Sequence, residues 1–205
     1  HYMSLKLSLL TLALGLSLNG FSQTSQALSD SLKSQISLFI NDQSSTHEKD
    51  YLNITNRELG ALEDEAFMWS DKFRLESIEE FENTLGYTTE RKIYFNFYFY
   101  ETEADRQYAL KNWLDNFIEG KSIRASRPVR TYPYATPTII LINKQSIIIC
   151  NYECKYFDED NYDYWKKSLM RYFGNRSETM LIEIECGGPL EWTKNAPVPK
   201  VRGLF

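Results

Sequence analysis

The sequence predicts an α+β domain: helices first, then a half in which strands and helices alternate, then an extended tail. Three observations carry this. Apolar residues recur at helical spacing up to residue 90. Over Lys92–Glu101 the period drops to two, with Ile93, Phe95, Phe97 and Phe99 on one side and Tyr94, Asn96, Tyr98 and Tyr100 on the other. Beyond it, patterns of both kinds alternate as far as residue 186.

Residues 1–23 are expected to be a secretory signal peptide, with His1 and Tyr2, which precede Met3, set aside. Lys6 stands before an apolar core of 12 residues, Leu7 to Leu18, and the polar or small residues Asn19, Gly20, Ser22 and Gln23 follow it. A helix that crosses a bilayer needs about 20 apolar residues. Leucines on every side of the run argue against an amphipathic core helix. Without a cysteine near the cleavage point, a lipid anchor there is not expected.

Residues 24–90 are expected to be an acidic helical segment packed on the main domain. Ser29 or Asp30 caps a first helix carrying Leu32, Ile36, Phe39 and Ile40, and Gln43–Thr46 is a polar break. Thr55 and Glu58 form a capping box ahead of Leu59, Leu62, Ala66 and Trp69. A third helix carries Leu75, Ile78, Phe81 and Leu85 and stops at Gly86.

Residues 91–186 form the main domain. After the strand at Lys92–Glu101, Thr102 caps a helix whose stripe is Leu110, Trp113, Leu114, Phe117 and Ile118. Pro137–Ile142 and Ser146–Tyr156 are apolar strands joined at Asn143-Lys144-Gln145, a hairpin. Asp158 or Asp160 opens a helix with Tyr162, Trp165, Leu169, Tyr172 and Phe173, closed by Gly174. Thr179–Cys186 alternates again, and residues 187–205, with three prolines, form the tail, with Leu190 and Trp192 expected to dock on their own domain.

The order β-α-β-β-α-β resembles the ferredoxin-like fold, which implies a four-stranded antiparallel sheet with both helices on one face. That resemblance carries no functional motif. It places Ile93, Phe95, Phe97 and Phe99 on the covered face and Tyr94, Asn96, Tyr98, Tyr100, Glu183 and Glu185 on the other. A bare face so aromatic needs a cover or a ligand. The amino-terminal helices are expected to fold over part of it; the alternative is a tyrosine-lined binding surface.

The composition excludes some classes. Aromatic residues make up 15% of the chain, which argues against disorder. Residues 42–90 carry 13 acidic and four basic side chains. Nucleic acid is therefore not an expected partner, because its binding rests on neutralising phosphates. No membrane span is expected once the signal is removed.

Catalytic and metal-binding constellations are thin. His47, beside Ser44, Ser45 and Thr46, is expected to be a solvated loop histidine rather than a catalytic base. Cys150 and Cys154 have the gap of a zinc pair, but on one strand face they lie about 13 Å apart. That also rules out a bond between them. Buried thiols are expected, with a bridge through Cys186 as the alternative. Asp158, Glu159, Asp160 and Asp163 are expected to serve the helix amino end rather than calcium. No cofactor and no metal is expected.

Two segments stay open. Glu119–Thr136 is 18 residues long and carries Lys121, Arg124, Arg127 and Arg130, then Tyr132 and Tyr134. These cations pair with the protein's own acidic helices, contact a partner or ligand, or serve solubility alone. With Tyr94, Tyr98 and Tyr100 they make up the candidate partner-binding set. The expected function is an exported, non-enzymatic protein-binding or assembly component in the periplasm or on the surface of a Gram-negative cell. The alternatives are an immunity protein against a periplasmic toxin, or a small-ligand or glycan-binding protein or enzyme using the Tyr/Glu sheet face.

Overall fold

A computed structural model describes residues 24–51, 66–83, 85–117, 136–188 and 190–195. The predicted signal peptide, residues 55–65 of the helix expected after Thr55, and residues 118–135 with the basic segment therefore lie outside the described residues; Ala66 and Trp69, expected on that helix, are not helical, and Trp69 begins a strand. The chain divides into two compact units, residues 1–38 and 39–205. Helix α1, residues 24–43, straddles the division, so Ser29 and Asp30 sit inside it rather than at its cap.

The second unit contains β1 (His47–Asp50), β2 (Trp69–Glu82), β3 (Thr88–Phe99), α2 (Glu103–Phe117), β4 (Thr138–Ile142), β5 (Ser146–Tyr152), a 3₁₀ turn (Cys154–Tyr156), α3 (Glu159–Phe173), β6 (Met180–Ile184) and β7 (Leu190–Lys194). Among the described residues there are three helices and one seven-stranded antiparallel sheet in the order β1-β2-β3-β5-β4-β6-β7.

Several local signals act as expected. The Thr102 hydroxyl accepts from the Asp105 amide at 3.1 Å and caps α2. Asp158 caps α3 by accepting from the amides of Asp160 and Asn161, and Gly174 closes that helix. The carboxylates at 158–160 thus serve the helix start. Asn143 N–H donates to the Ser146 carbonyl at 2.9 Å and closes the β4–β5 hairpin.

The helix expected at residues 75–85 is instead strand β2. Phe73 and Leu75 are buried and pair with Phe95 and Ile93 of β3. The alternation Trp69, Asp71, Phe73, Leu75 outweighs the helical spacing of Leu75, Ile78, Phe81 and Leu85, which would hold Ile78 and Leu85 in a stripe they do not form. Pairing with an aromatic strand decides this, since strand preference depends mainly on cross-strand and same-face neighbours.

The sheet is not the ferredoxin-like four-stranded arrangement. Both helices cross between parallel strands that flank a third: α2 links β3 to β4 across β5, and α3 links β5 to β6 across β4. In the ferredoxin-like fold the second crossover steps back over the first strand, so both helices share a face. Here both crossovers step the same way, from strands that point in opposite directions. Two right-handed crossovers of that kind put their helices on opposite faces.

The contacts agree with this geometry. Ala109 and Leu110 of α2 pack with Tyr98, Tyr100, Ile140, Ile142, Ile147, Ile149, Ile182 and Ile184. On the other face, Trp165 of α3 meets Phe95 at 5.4 Å and Phe173 meets Phe97 at 5.2 Å. Phe39 closes this cluster against Phe95 at 5.3 Å and Phe173 at 5.4 Å. Every residue of β4 and β5 is buried, as a strand covered on both sides requires. The side chains of Trp113, Leu114, Phe117 and Ile118 lie outside the described residues.

Cys154 and Cys186 form a disulfide, with Cα atoms 5.4 Å apart, and Cys150 is a buried free thiol. Buried thiols throughout were the expectation, and it fails at one point: β5 ends at Tyr152, so Cys154 lies in the 3₁₀ turn and not on the strand. β5 and β6 run parallel on either side of β4, and each cysteine lies two residues past its strand's end. The bond therefore ties the end of β5, where the α3 crossover begins, to the end of β6 at the same edge of the sheet.

In the tail, Leu190 is buried on β7 and Trp192 packs on the α2-side core. Among the described residues, no helix is long and apolar enough to cross a membrane.

Candidate functional site

Of the residues expected to bind a partner, Lys121, Arg124, Arg127, Arg130, Tyr132 and Tyr134 lie outside the described residues. Tyr94 is half-buried, whereas Tyr98 and Tyr100 are 1% and 0% exposed. The tyrosine face is covered by α2, which the strand order sends to that side. Phe67 also lies edge-on to Tyr98 at 5.6 Å. Glu183 is not on this face. Ile182 pairs with Ile140, so Glu183 turns to the α3 side, where it meets Lys166 Nζ at 3.1 Å. As the chain folds, Tyr98, Tyr100 and Glu183 offer no binding surface.

The surface that does project is the β2–β3 hairpin. β5 pairs with β3 from Phe99 back to Ile93, and β1 pairs with β2 as far as Ser77. Thr88–Lys92 runs on past the last β5 rung, about 17 Å at about 3.3 Å per residue. A register shift between Glu76 and Glu80 bends the ribbon at its base. Asn83 builds the turn: its side-chain oxygen accepts from the amides of Leu85 at 2.9 Å and Tyr87 at 3.1 Å. Gly86, at φ +80°, supplies the left-handed step that a side chain resists.

The tip is apolar and exposed. Leu85 and Tyr87 are each 68% exposed; Ile78, in the bulge at the base, is 52% exposed. On one face the register sets Glu80 opposite Glu90 and Glu82 opposite Thr88. On the other, Phe81 is held by Tyr156 at 5.6 Å and by the Arg91 guanidinium 4.2 Å above its ring. Arg91 in turn pairs with Asp158 at 2.8 Å. One face of the hairpin is thus anchored to the start of α3 as far as Phe81, and the turn beyond it exposes Leu85 and Tyr87.

At that base lies a cleft of about 310 Å³, lined in part by His47, Ser77, Glu79, Phe81, Arg91 and Asn161. His47 is not the solvated loop histidine expected. Its ring packs edge-on against Trp165 at 5.2 Å, and Nδ1 lies 2.8 Å from the Thr46 hydroxyl. Burial first, and the charge of Arg91 second, hold its imidazole below the usual histidine range. The Ser77 hydroxyl donates to the Glu79 carbonyl and accepts from the Arg91 amide, both at 2.8 Å. Serine and histidine therefore face framework groups rather than each other, and the nucleophile–base contact of hydrolytic chemistry is not formed. Among the described residues no cluster of three or more His, Cys, Asp or Glu is placed to hold a metal ion.

The lowered pKa of His47 has a consequence for stability. As pH falls, the unfolded chain takes up the proton near 6.5, before the folded one does. Stability is therefore full above that pH, declines below it, and levels off once the folded form is protonated too. Melting temperatures across about pH 8 to 5 should show this decline, and His47→Gln should flatten it. An equal slope in both proteins would assign the decline to other groups.

Comparison with family models, with curated proteins and with solved structures finds no match.

The hairpin and the cleft escape a reading based on helical spacing, yet their signals are present. Asn83-Thr84-Leu85-Gly86 is a turn sequence, and Thr88-Thr89 after it favours a strand. The alternation from Trp69 to Leu75 supplies the other arm. His47 and Arg91 have no signal of this sort, since 44 positions of sequence separate them.

Proposed function

We propose that this chain is an exported, non-enzymatic protein-binding component of the bacterial cell envelope, and that the β2–β3 hairpin is its binding element. One observation carries the reading: a hairpin held along one face by the start of α3 presents Leu85 and Tyr87 to water at its free end. Large apolar side chains gathered on a projecting turn are costly in solvent and mark interaction sites. The signal-like segment at residues 1–23 supports export, as does a disulfide, which persists in oxidising compartments.

The inhibitor reading stands second. A narrow two-stranded ribbon suits insertion into a concave site, such as the active-site cleft of a toxin enzyme. A ligand or glycan site on the Tyr/Glu sheet face has little support, since Tyr98, Tyr100 and Glu183 are buried.

The test is retention of native envelope proteins by the tagged, exported chain. Leu85→Ala with Tyr87→Ala should reduce retention about tenfold or more, the effect of losing interface anchors. Its melting temperature should stay close to wild type, because both side chains are exposed. Arg124, Arg127 and Arg130 changed together to alanine form the second variant and report on the basic segment. Retention unchanged by the tip variant would remove the hairpin from the interface.

A further inference from the structure

The hairpin bears two costs that the fold does not explain. The first is its apolar tip. The second is charge. Residues 76–90 contain five glutamates and no lysine or arginine. Glu76 is neutralised by Arg74 at 2.9 Å and Lys92 at 2.7 Å. Glu80 and Glu82 are exposed and have no ion pair among the described residues, and Glu90, also exposed, meets the Glu76 carboxyl instead of a cation. The register nevertheless makes Glu80 and Glu90 direct cross-strand neighbours. Like charges so placed destabilise a strand pair, and glutamate is not a favoured strand residue.

We infer that the hairpin's partner is a protein whose binding site is an apolar pocket rimmed by lysine or arginine. Leu85 and Tyr87 enter the pocket, and Glu80, Glu82 and Glu90 pair with the rim. Both costs are recovered together in that complex. An anionic membrane surface or a nucleic acid repels this face. A lone cation would relieve the charge and leave the tip in water. A second copy of this chain, acidic overall at net charge −5, is a poorer match than a basic surface.

This inference rests on the hairpin being the binding element, and the experiment separates the two. The full exported chain is compared with Glu80→Gln/Glu90→Gln and with Leu85→Ala/Tyr87→Ala; Glu82→Gln is the second charge variant. Each is read by melting temperature without partner, by retention of envelope protein at about 50 mM and about 500 mM NaCl, and by displacement with heparin, a polyanion. Zero-length carboxyl-to-amine cross-linking then maps which lysines meet the glutamates.

The charge variants should melt at or slightly above wild type, because a repulsion is removed. At low salt they should retain about tenfold less partner, and the difference should shrink at high salt. Heparin should release the wild-type complex, and cross-links should join the hairpin to lysines of the partner. Retention that needs Leu85 and Tyr87 but ignores the charge changes and heparin overturns the inference and leaves the hairpin's binding role intact. Retention indifferent to both pairs, or no retention by wild type, overturns both. Cross-links to a second copy of the chain overturn the inference in favour of self-association.

Discussion

Trp165→Ala is expected to lower the stability of the fold by about 4 kcal/mol, in the range of about 3–5 kcal/mol for large aromatic side chains removed from cores. Trp165 is fully buried at the centre of the α3-side layer. Its ring meets Phe95 at 5.4 Å, Phe39 at 6.3 Å and His47 at 5.2 Å, all close to edge-on. Its indole N–H donates to Asn161 Oδ1 at 3.1 Å. Alanine would empty the space shared by a helix, a strand and the turn that starts β1, and would leave Asn161 without its donor. For a domain of this size the change corresponds to roughly 8–16 °C in melting temperature. Trp165→Phe keeps most of the packing but not the hydrogen bond, so its cost should be clearly smaller. Urea unfolding of the three proteins checks this. A loss below about 1 kcal/mol for the alanine variant would mean that the layer repacks and that Trp165 is not its keystone.

Breaking the Cys154–Cys186 bond is expected to cost about 3–4 kcal/mol, the loop-closure entropy of a 32-residue separation. The enclosed segment is the α3 crossover together with β6, and the bond holds the ends of β5 and β6 on either side of β4 while Trp165 and Phe173 pack. The unbridged chain has to find that arrangement unaided. Cys154→Ser with Cys186→Ser, and wild type under reductant, should therefore show the same fall in the unfolding midpoint. Cys150 is a built-in control. Burial pushes its thiol well above the usual cysteine range, so it is neither a nucleophile nor an exchange partner in the folded state. Cys150→Ala should leave the sensitivity to reductant unchanged. If reductant does not move the wild-type midpoint, the crossover is held by packing alone. The bond also bears on the proposed export, because a reducing compartment would deny the protein this contribution.

The elements of the fold differ in how far residue order reveals them. The caps at Thr102 and Asp158, the stop at Gly174 and the hairpin at Asn143 are legible because each acts over three or four residues. The pattern of β3 is legible because alternation is a property of one strand. The hairpin arm at residues 69–82 is less so: its apolar residues fit a helix about as well as a strand until Phe95 and Ile93 are known to lie alongside. The unbroken isoleucines of β4 and β5 were the available clue against a sheet with one bare face, since strands that apolar on both sides need cover on both.

By itself the sequence determined where most elements of residues 88–186 lie, where they turn, and that their apolar faces must be covered. It did so because capping, turn chemistry and periodicity are local. Only the tertiary structure decided that β6 pairs with β4, that α2 and α3 consequently cover opposite faces, that Tyr98 and Tyr100 are core, and that Cys154 meets Cys186. The same β-α-β-β-α-β pattern satisfies both strand orders equally well residue by residue. The choice lies in contacts between residues some forty positions apart, such as Ile140 with Ile182, and in the handedness of the crossovers that those contacts require.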